Sequence, residues 1–116
     1  MKFEIGDKVS IIHYYKRETR TTSGETLATA VDTADSGEYV EYTKYHKHAI
    51  KNREYGVICG KRTIKIAGTL MPDTDAQGHA FINQIGATYR GVYLVATRMN
   101  CLRPVEKKWI RIEEDA

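Results

Sequence analysis

The stretch YGVICGKRTIKIAGTL, residues 55–70, holds the reading on which the fold turns. Apolar and polar side chains alternate along it, as they do in a strand with one buried face. Ile58, Ile64 and Ile66 fall on the expected core side, with Thr63, Lys65 and Ala67 opposite. Gly56 and Gly60 read as bends in the backbone. Lys61, Arg62 and Lys65 put three cations on the same segment. One strand therefore offers both a core face and the start of a basic surface.

Similar patterns lie on either side. In EIGDKVSIIHYY, residues 4–15, a Gly6-Asp7 turn precedes a β-branched and aromatic run, predicting a strand over Lys8 to Tyr15. The clearest strand is YRGVYLVATRMN, residues 89–100, where Val92, Leu94 and Ala96 alternate with Tyr93, Val95 and Thr97. CLRPV, residues 101–105, is a short element stopped by Pro104, and Trp109 to Ile112 forms a closing strand with Trp109 at the edge of the core. MPDTDAQG, residues 71–78, is a turn-rich loop, whereas HAFINQIGATY, residues 79–89, fits no single pattern.

Residues 20–41, RTTSGETLATAVDTADSGEYVE, have weak periodicity and read as a long loop or a loose hairpin about Asp35-Ser36-Gly37. In residues 39–56, Tyr42, Tyr45 and Ala49 stand at i, i+3 and i+7, with His46 and Ile50 beside them. That spacing permits a short helix ending before Gly56; an irregular aromatic loop fits as well. Several short strands, glycine-marked turns and no long amphipathic helix predict a mainly all-β barrel or sandwich.

The 116 residues correspond to one domain, 1–116. With 41% apolar and 28% charged residues, the composition is that of a soluble globular protein rather than a disordered chain. No apolar run approaches the roughly 20 residues that span a bilayer. MKFEIGDKV has no apolar signal-peptide core, so the expected location is cytoplasmic, with no membrane partner. Cys59 and Cys101 lie in apolar surroundings and are expected to be buried thiols.

The net charge of +3 is uneven along the chain. Residues 21–41 carry five acidic groups and no basic one, whereas residues 42–65 carry seven basic and one acidic. Such asymmetry suggests a charged partner or two segments that attract each other.

IGDKV, YGVICGKR, GVYLVATRMNCLRPV and a final WIRI resemble, in that order, small SH3-like barrels. In particular, the chain looks like the small, mostly uncharacterised SH3-like proteins encoded by bacteriophages and prophages. The likeness covers residues 4–20 and 54–112. It implies an SH3-like small β-barrel whose enlarged first loop, about residues 16–53, has room for a short helix or hairpin. It also implies a phage-type protein in the host cytoplasm that blocks a host or defence factor, as anti-restriction and anti-CRISPR proteins do. The resemblance brings no catalytic residues.

The candidate binding residues are basic and aromatic. Tyr14, Tyr15, Lys16, Arg17 and Arg20 form one group; Tyr42, Lys44, Tyr45, Lys47, Lys51 and Arg53 form a second; Lys61, Arg62 and Lys65 follow. Lysine and arginine neutralise phosphates and tyrosine stacks on unpaired bases, which suits nucleic acid. Tyrosine and arginine are also enriched at protein-interface hot spots, and the acidic 25–41 loop could match a basic partner. The bland alternative is a solvated face whose lysines guard strand edges. The expected function is non-enzymatic binding of a host or defence protein, with a nucleic-acid-binding module as the alternative.

No metal or cofactor is expected. His46 and His48, at i and i+2, need a third ligand, and no spacing from His13, His79 or Cys59 supplies it. Counted from Asp73, a calcium loop would want Asp or Asn at its fifth position and Glu at its twelfth, where Gln77 and Gln84 stand. Gly78 does fit the sixth position, but the segment reads as a polar turn. No Ser/His/Asp order, P-loop or Rossmann fingerprint is present, so no enzyme is expected.

Overall fold

The chain turns before it extends. Asp7 N–H bonds the Glu4 carbonyl at 3.1 Å, and Asp7 Oδ2 accepts the Glu4 N–H at 2.9 Å. Gly6 holds φ +96, a left-handed value that glycine adopts without strain. Beyond this turn, a computed structural model describes residues 3–98 and 101–113 as a mainly β chain. Its elements are β1 (Lys8–Thr21), α1 (Leu27–Thr33), β2 (Val40–Thr74), β3 (Ala80–Arg98), β4 (Cys101–Val105), a 3-10 turn (Lys107–Trp109) and β5 (Ile110–Ile112).

The sheet has the open order β4-β3-β2-β1-β5. β1 and β5 are antiparallel, with Val9 opposite Ile112, Ser10 opposite Arg111 and Ile11 opposite Ile110. β3 and β4 are antiparallel from Tyr93↔Val105 to Arg98↔Cys101, with an irregularity between Ala96 and Arg98. Pro104 is tolerated because β4 is an end strand. Met99 and Asn100, part of the expected strand and turn, lie outside the described residues.

β2 is 35 residues long. Held straight, a strand of that length would span roughly 115 Å at 3.3 Å per residue, far more than a small domain is wide. Its parts belong to different compact units. One unit comprises residues 1–16, 47–64 and 90–116; the other comprises residues 17–46 and 65–89.

In the first unit the core is Phe3, Val9, Ile11, Tyr15, Ile58, Ile64, Val92, Tyr93, Val95, Val105 and Trp109. The alternation expected for β1 holds in part: Val9, Ile11 and Tyr15 are buried and Ile12 and Lys16 exposed, but Ser10, of the opposite parity, is fully buried and His13 only half-buried. Phe3 packs edge-on to Tyr93 at 5.3 Å. Trp109 is buried at the end of the 3-10 turn rather than within a strand, its N–H bonded to the Glu106 carbonyl at 2.9 Å.

In the second unit Thr26 caps α1, its hydroxyl accepting the Thr29 N–H at 3.2 Å, and Ala30 is the buried residue of that helix. Gly37 N–H bonds the Pro72 carbonyl at 2.8 Å and Ser36 Oγ bonds Asp73 at 2.9 Å, fastening the segment after α1 to the end of β2. The β2–β3 turn closes on Asp75, whose Oδ1 accepts N–H groups from Gln77 at 2.9 Å and His79 at 2.8 Å.

Several expectations change. Residues 42–53 are extended within β2 rather than a helix or an irregular loop, because strand neighbours satisfy their backbone. Residues 79–89, left open by the sequence, supply most of the first half of β3. Ile66 is only half-buried. Cys59 is exposed and Cys101 half-buried, both as free thiols, because Cys59 points opposite to its buried neighbour Ile58. No helix among the described residues is long and apolar enough to cross a membrane.

Candidate macromolecule-binding face

The middle of β2, in the first unit, sorts its side chains by parity. Ile58 and Ile64 are buried and Glu54 and Gly56 half-buried on one side. Lys51, Tyr55, Val57, Cys59 and Lys61 are exposed on the other, with Arg53 half-buried among them. Tyr55 is 62% exposed. A period-two strand thus presents Lys51, Arg53, Tyr55, Val57 and Lys61 as one row.

Arg53 is anchored rather than loose. Its Nη1 donates to Ser10 Oγ at 2.8 Å, and the same hydroxyl donates to Glu113 Oε1 at 2.5 Å. Arg111 donates to Glu113 at 2.9 Å. The Ser10 hydrogen bond, then Arg111, hold the Glu113 carboxyl below its ordinary value. Ser10 can be fully buried because this network satisfies its hydroxyl.

A second cluster surrounds Tyr14. The Arg103 guanidinium stacks on its ring at 4.0 Å and donates to Glu54 at 3.3 Å. His48 lies 5.1 Å from the Tyr14 ring. Burial alone would lower Arg103, but the hydrogen bond and charge of Glu54 more than offset it, leaving Arg103 raised.

A third surrounds Trp109, with Tyr15 at 4.9 Å, His13 at 5.8 Å and the Lys47 ammonium over the indole at 5.6 Å. Tyr15 donates to Glu106 at 2.7 Å. Burial, then that bond, push its hydroxyl well above the usual tyrosine value. Burial, then Lys47, lower His13.

These contacts redistribute the candidate residues. Tyr14, Tyr15, Lys16, Lys47, Lys51, Arg53, Lys61 and Arg62 belong to the first unit; Arg17, Arg20, Tyr42, Lys44, Tyr45 and Lys65 belong to the second. Tyr15 and Tyr42 are buried, so neither ring offers a stacking surface. Tyr42 packs against Gly68, with the Lys65 ammonium 5.7 Å over its ring. Lys61 lies 5.1 Å over Tyr93, and Arg20 is paired with Glu18 at 2.9 Å. Lys16, Arg17 and Arg62 are exposed, while Lys44 and Tyr45 are half-buried.

In the second unit, Arg20, Glu41, Tyr42, His46, Gly68 and Thr69 are among the residues lining an open groove of about 680 Å³. His46 and His48 fall in different units, and the described residues bring no three His, Cys, Asp or Glu together for a metal. Tyr55, Val57 and Arg103 were not singled out from the sequence. Parity with Arg53 was a sufficient signal for Tyr55 and Val57, whereas Arg103 meets Tyr14 through tertiary packing alone. No protein-family model, curated protein or solved structure matches the chain.

Proposed function

We propose that the chain is a non-enzymatic binding protein whose partner is another protein, engaged through the outward row of β2 centred on Tyr55. The observation that carries this reading is Tyr55 itself, 62% exposed beside Val57 at 38% and flanked by Lys51, Arg53 and Lys61. An exposed aromatic next to an aliphatic side chain and a positioned arginine is the composition of an interface hot spot. Arg53 is held by Ser10, so little side-chain entropy remains to be lost on binding.

The SH3-like resemblance supports the same class. On that resemblance the protein is phage- or prophage-type and its partner a host or defence protein, as for anti-restriction or anti-CRISPR inhibitors. Nucleic acid is the competing ligand. It is less favoured because two of the tyrosines proposed for stacking are buried and Arg103 covers a face of Tyr14.

Affinity capture from a bacterial host lysate tests the reading. One stoichiometric protein should be retained, and Tyr55→Ala should weaken it by about 2 kcal/mol or more, roughly 30-fold. Equal retention by Tyr55→Ala overturns the assignment. Oligonucleotide binding that falls by about 10³-fold or more between 50 and 200 mM salt replaces protein with nucleic acid.

A further inference from the structure

The two compact units differ in charge. Residues 17–46 and 65–89 hold eight Asp and Glu residues against four Lys and Arg, a net charge of −4, whereas the other unit carries +7. The four cations are Arg17, Arg20, Lys44 and Lys65, so no lysine or arginine occurs in 21–43 or 66–89. A groove of about 530 Å³ opens in this cation-poor part, between the second half of α1, the end of β2 and the start of β3. Val31, Pro72, Phe81 and Ile82 supply apolar surface to it, and Asp32 and Asp73 supply charge. Among the described residues no lysine or arginine lines it.

The groove is of ligand-binding size, within the roughly 300–1,000 Å³ common for such sites. Its walls are tied to each other by the protein's own bonds. Gly37 N–H donates to the Pro72 carbonyl at 2.8 Å, and Ser36 Oγ donates to Asp73 Oδ1 at 2.9 Å. Thr74 N–H donates to the same oxygen at 2.8 Å. Little ordering is therefore left to be done on binding. A carboxylate accepts about four hydrogen bonds, so these two fix Asp73 and still leave it able to take a cationic donor. Phe81 and Ile82 are 40% and 54% exposed, apolar area that an occupant removes from water.

We propose that this groove docks a basic segment of a partner protein, with one large apolar side chain against Phe81 and Ile82 and flanking lysine or arginine paired with Asp32 and Asp73. The charge of the unit selects that occupant. Nucleic acid and anionic lipid are repelled by a surface with twice as many carboxylates as cations. An apolar or acidic segment would desolvate Asp32 and Asp73 with no counter-charge, a cost that the apolar contact must offset. A basic segment neutralises both carboxylates as it covers the apolar lining. The site is independent of the β2 row around Tyr55, which belongs to the other, cationic unit. Complementary charge of this kind speeds encounter, so association should be fast and sensitive to salt.

The test titrates the full chain, labelled with nitrogen-15, with three capped hexapeptides and follows amide shifts by NMR. The first peptide is Lys-Leu-Lys-Lys-Leu-Lys; the second has glutamate in place of lysine, and the third has serine in place of leucine. The first should shift amides of residues 31–36, 72–74 and 80–82, and the other two should bind at least about fivefold more weakly. Asp32→Lys and Ile82→Ser, both at exposed positions, should each weaken the first peptide by about fivefold or more, with unchanged melting curves. Tyr55→Ala should leave its affinity unchanged. No shift at the groove, equal binding of the glutamate peptide, or wild-type affinity in both groove variants overturns the proposal. Sedimentation equilibrium without peptide adds a last arm: self-association that Asp32→Lys abolishes puts a second copy in the groove and overturns the assignment to a partner protein.

Discussion

Gly56→Ala should be among the most damaging single-methyl additions to this chain, and Gly60→Ala among the most harmless. Both glycines lie on β2 only four residues apart, and both look like bend points in the sequence. A Cβ at Gly56 would overlap the Ala96 carbonyl oxygen and stand 2.9 Å from Val95 Cγ1. Val95 is fully buried, and the nearest obstacle is backbone, so no flexible side-chain end can swing aside. A Cβ at Gly60 meets nothing within 4 Å. Overpacking a tight site costs about 1–3 kcal/mol, and a backbone obstacle places Gly56→Ala near the upper end, about 3 kcal/mol. At about 4 °C of melting temperature per kcal/mol, that is a fall of about 12 °C. Gly60→Ala, with no clash, should gain up to about 1 kcal/mol by restricting the unfolded chain. Urea and thermal unfolding followed by circular dichroism read both. If Gly56→Ala melts with wild type, or if the two variants lose equal stability, close approach of β2 to β3 is not why Gly56 is glycine.

Two further expectations follow from the Trp109 cluster. His13 is lowered in the fold, by burial and then by Lys47, so the unfolded chain binds more protons than the folded one below the ordinary value of 6.5. Its contribution to stability is complete above 6.5 and is lost as pH falls from there toward the folded value, and His13→Leu should flatten the urea midpoint between about pH 7 and 5; an identical pH profile in the variant refutes this. Tyr15→Phe removes the donor to Glu106 and should cost about 1.5 kcal/mol. Alkaline absorbance titrations of the two proteins should diverge only above the ordinary tyrosine value of 10.0, and divergence at or below it refutes the buried, hydrogen-bonded hydroxyl.

Local alternation made part of the fold readable. Val9, Ile11 and Tyr15 share a parity, and their burial is the direct consequence. The same rule, applied to the site, would have moved Tyr15 from the binding list to the core and turned Cys59 outward beside Tyr55 and Val57. Residues 42–53 resisted because Tyr42, Tyr45 and Ala49 suit a helix as well as a strand, and the choice falls to strand neighbours remote in sequence. α1 left a faint signal, a Thr26 cap ahead of an alanine-containing run, within a segment too short for periodicity to register. The stacking of Arg103 on Tyr14 left none, since 89 positions separate them.

The basic count overstates what this chain offers to phosphates. Arg20 and Arg111 are paired with carboxylates two residues away, and Arg103 with Glu54. Lys47, Lys61, Lys65 and Lys108 lie over aromatic rings at 5.1 to 6.0 Å. Exposed ion pairs such as Arg20–Glu18 are worth about 0–1 kcal/mol and yield to a competing anion, but half-buried Arg103 is held by stacking and a carboxylate together. Several cations are thus engaged inside their own unit. The residues turned outward along β2 combine apolar surface with only a few charges, and binding there would be driven mainly by burying Tyr55 and Val57. Such binding weakens little with salt, whereas phosphate binding weakens steeply, so the salt dependence of any complex reports directly on which surface forms it.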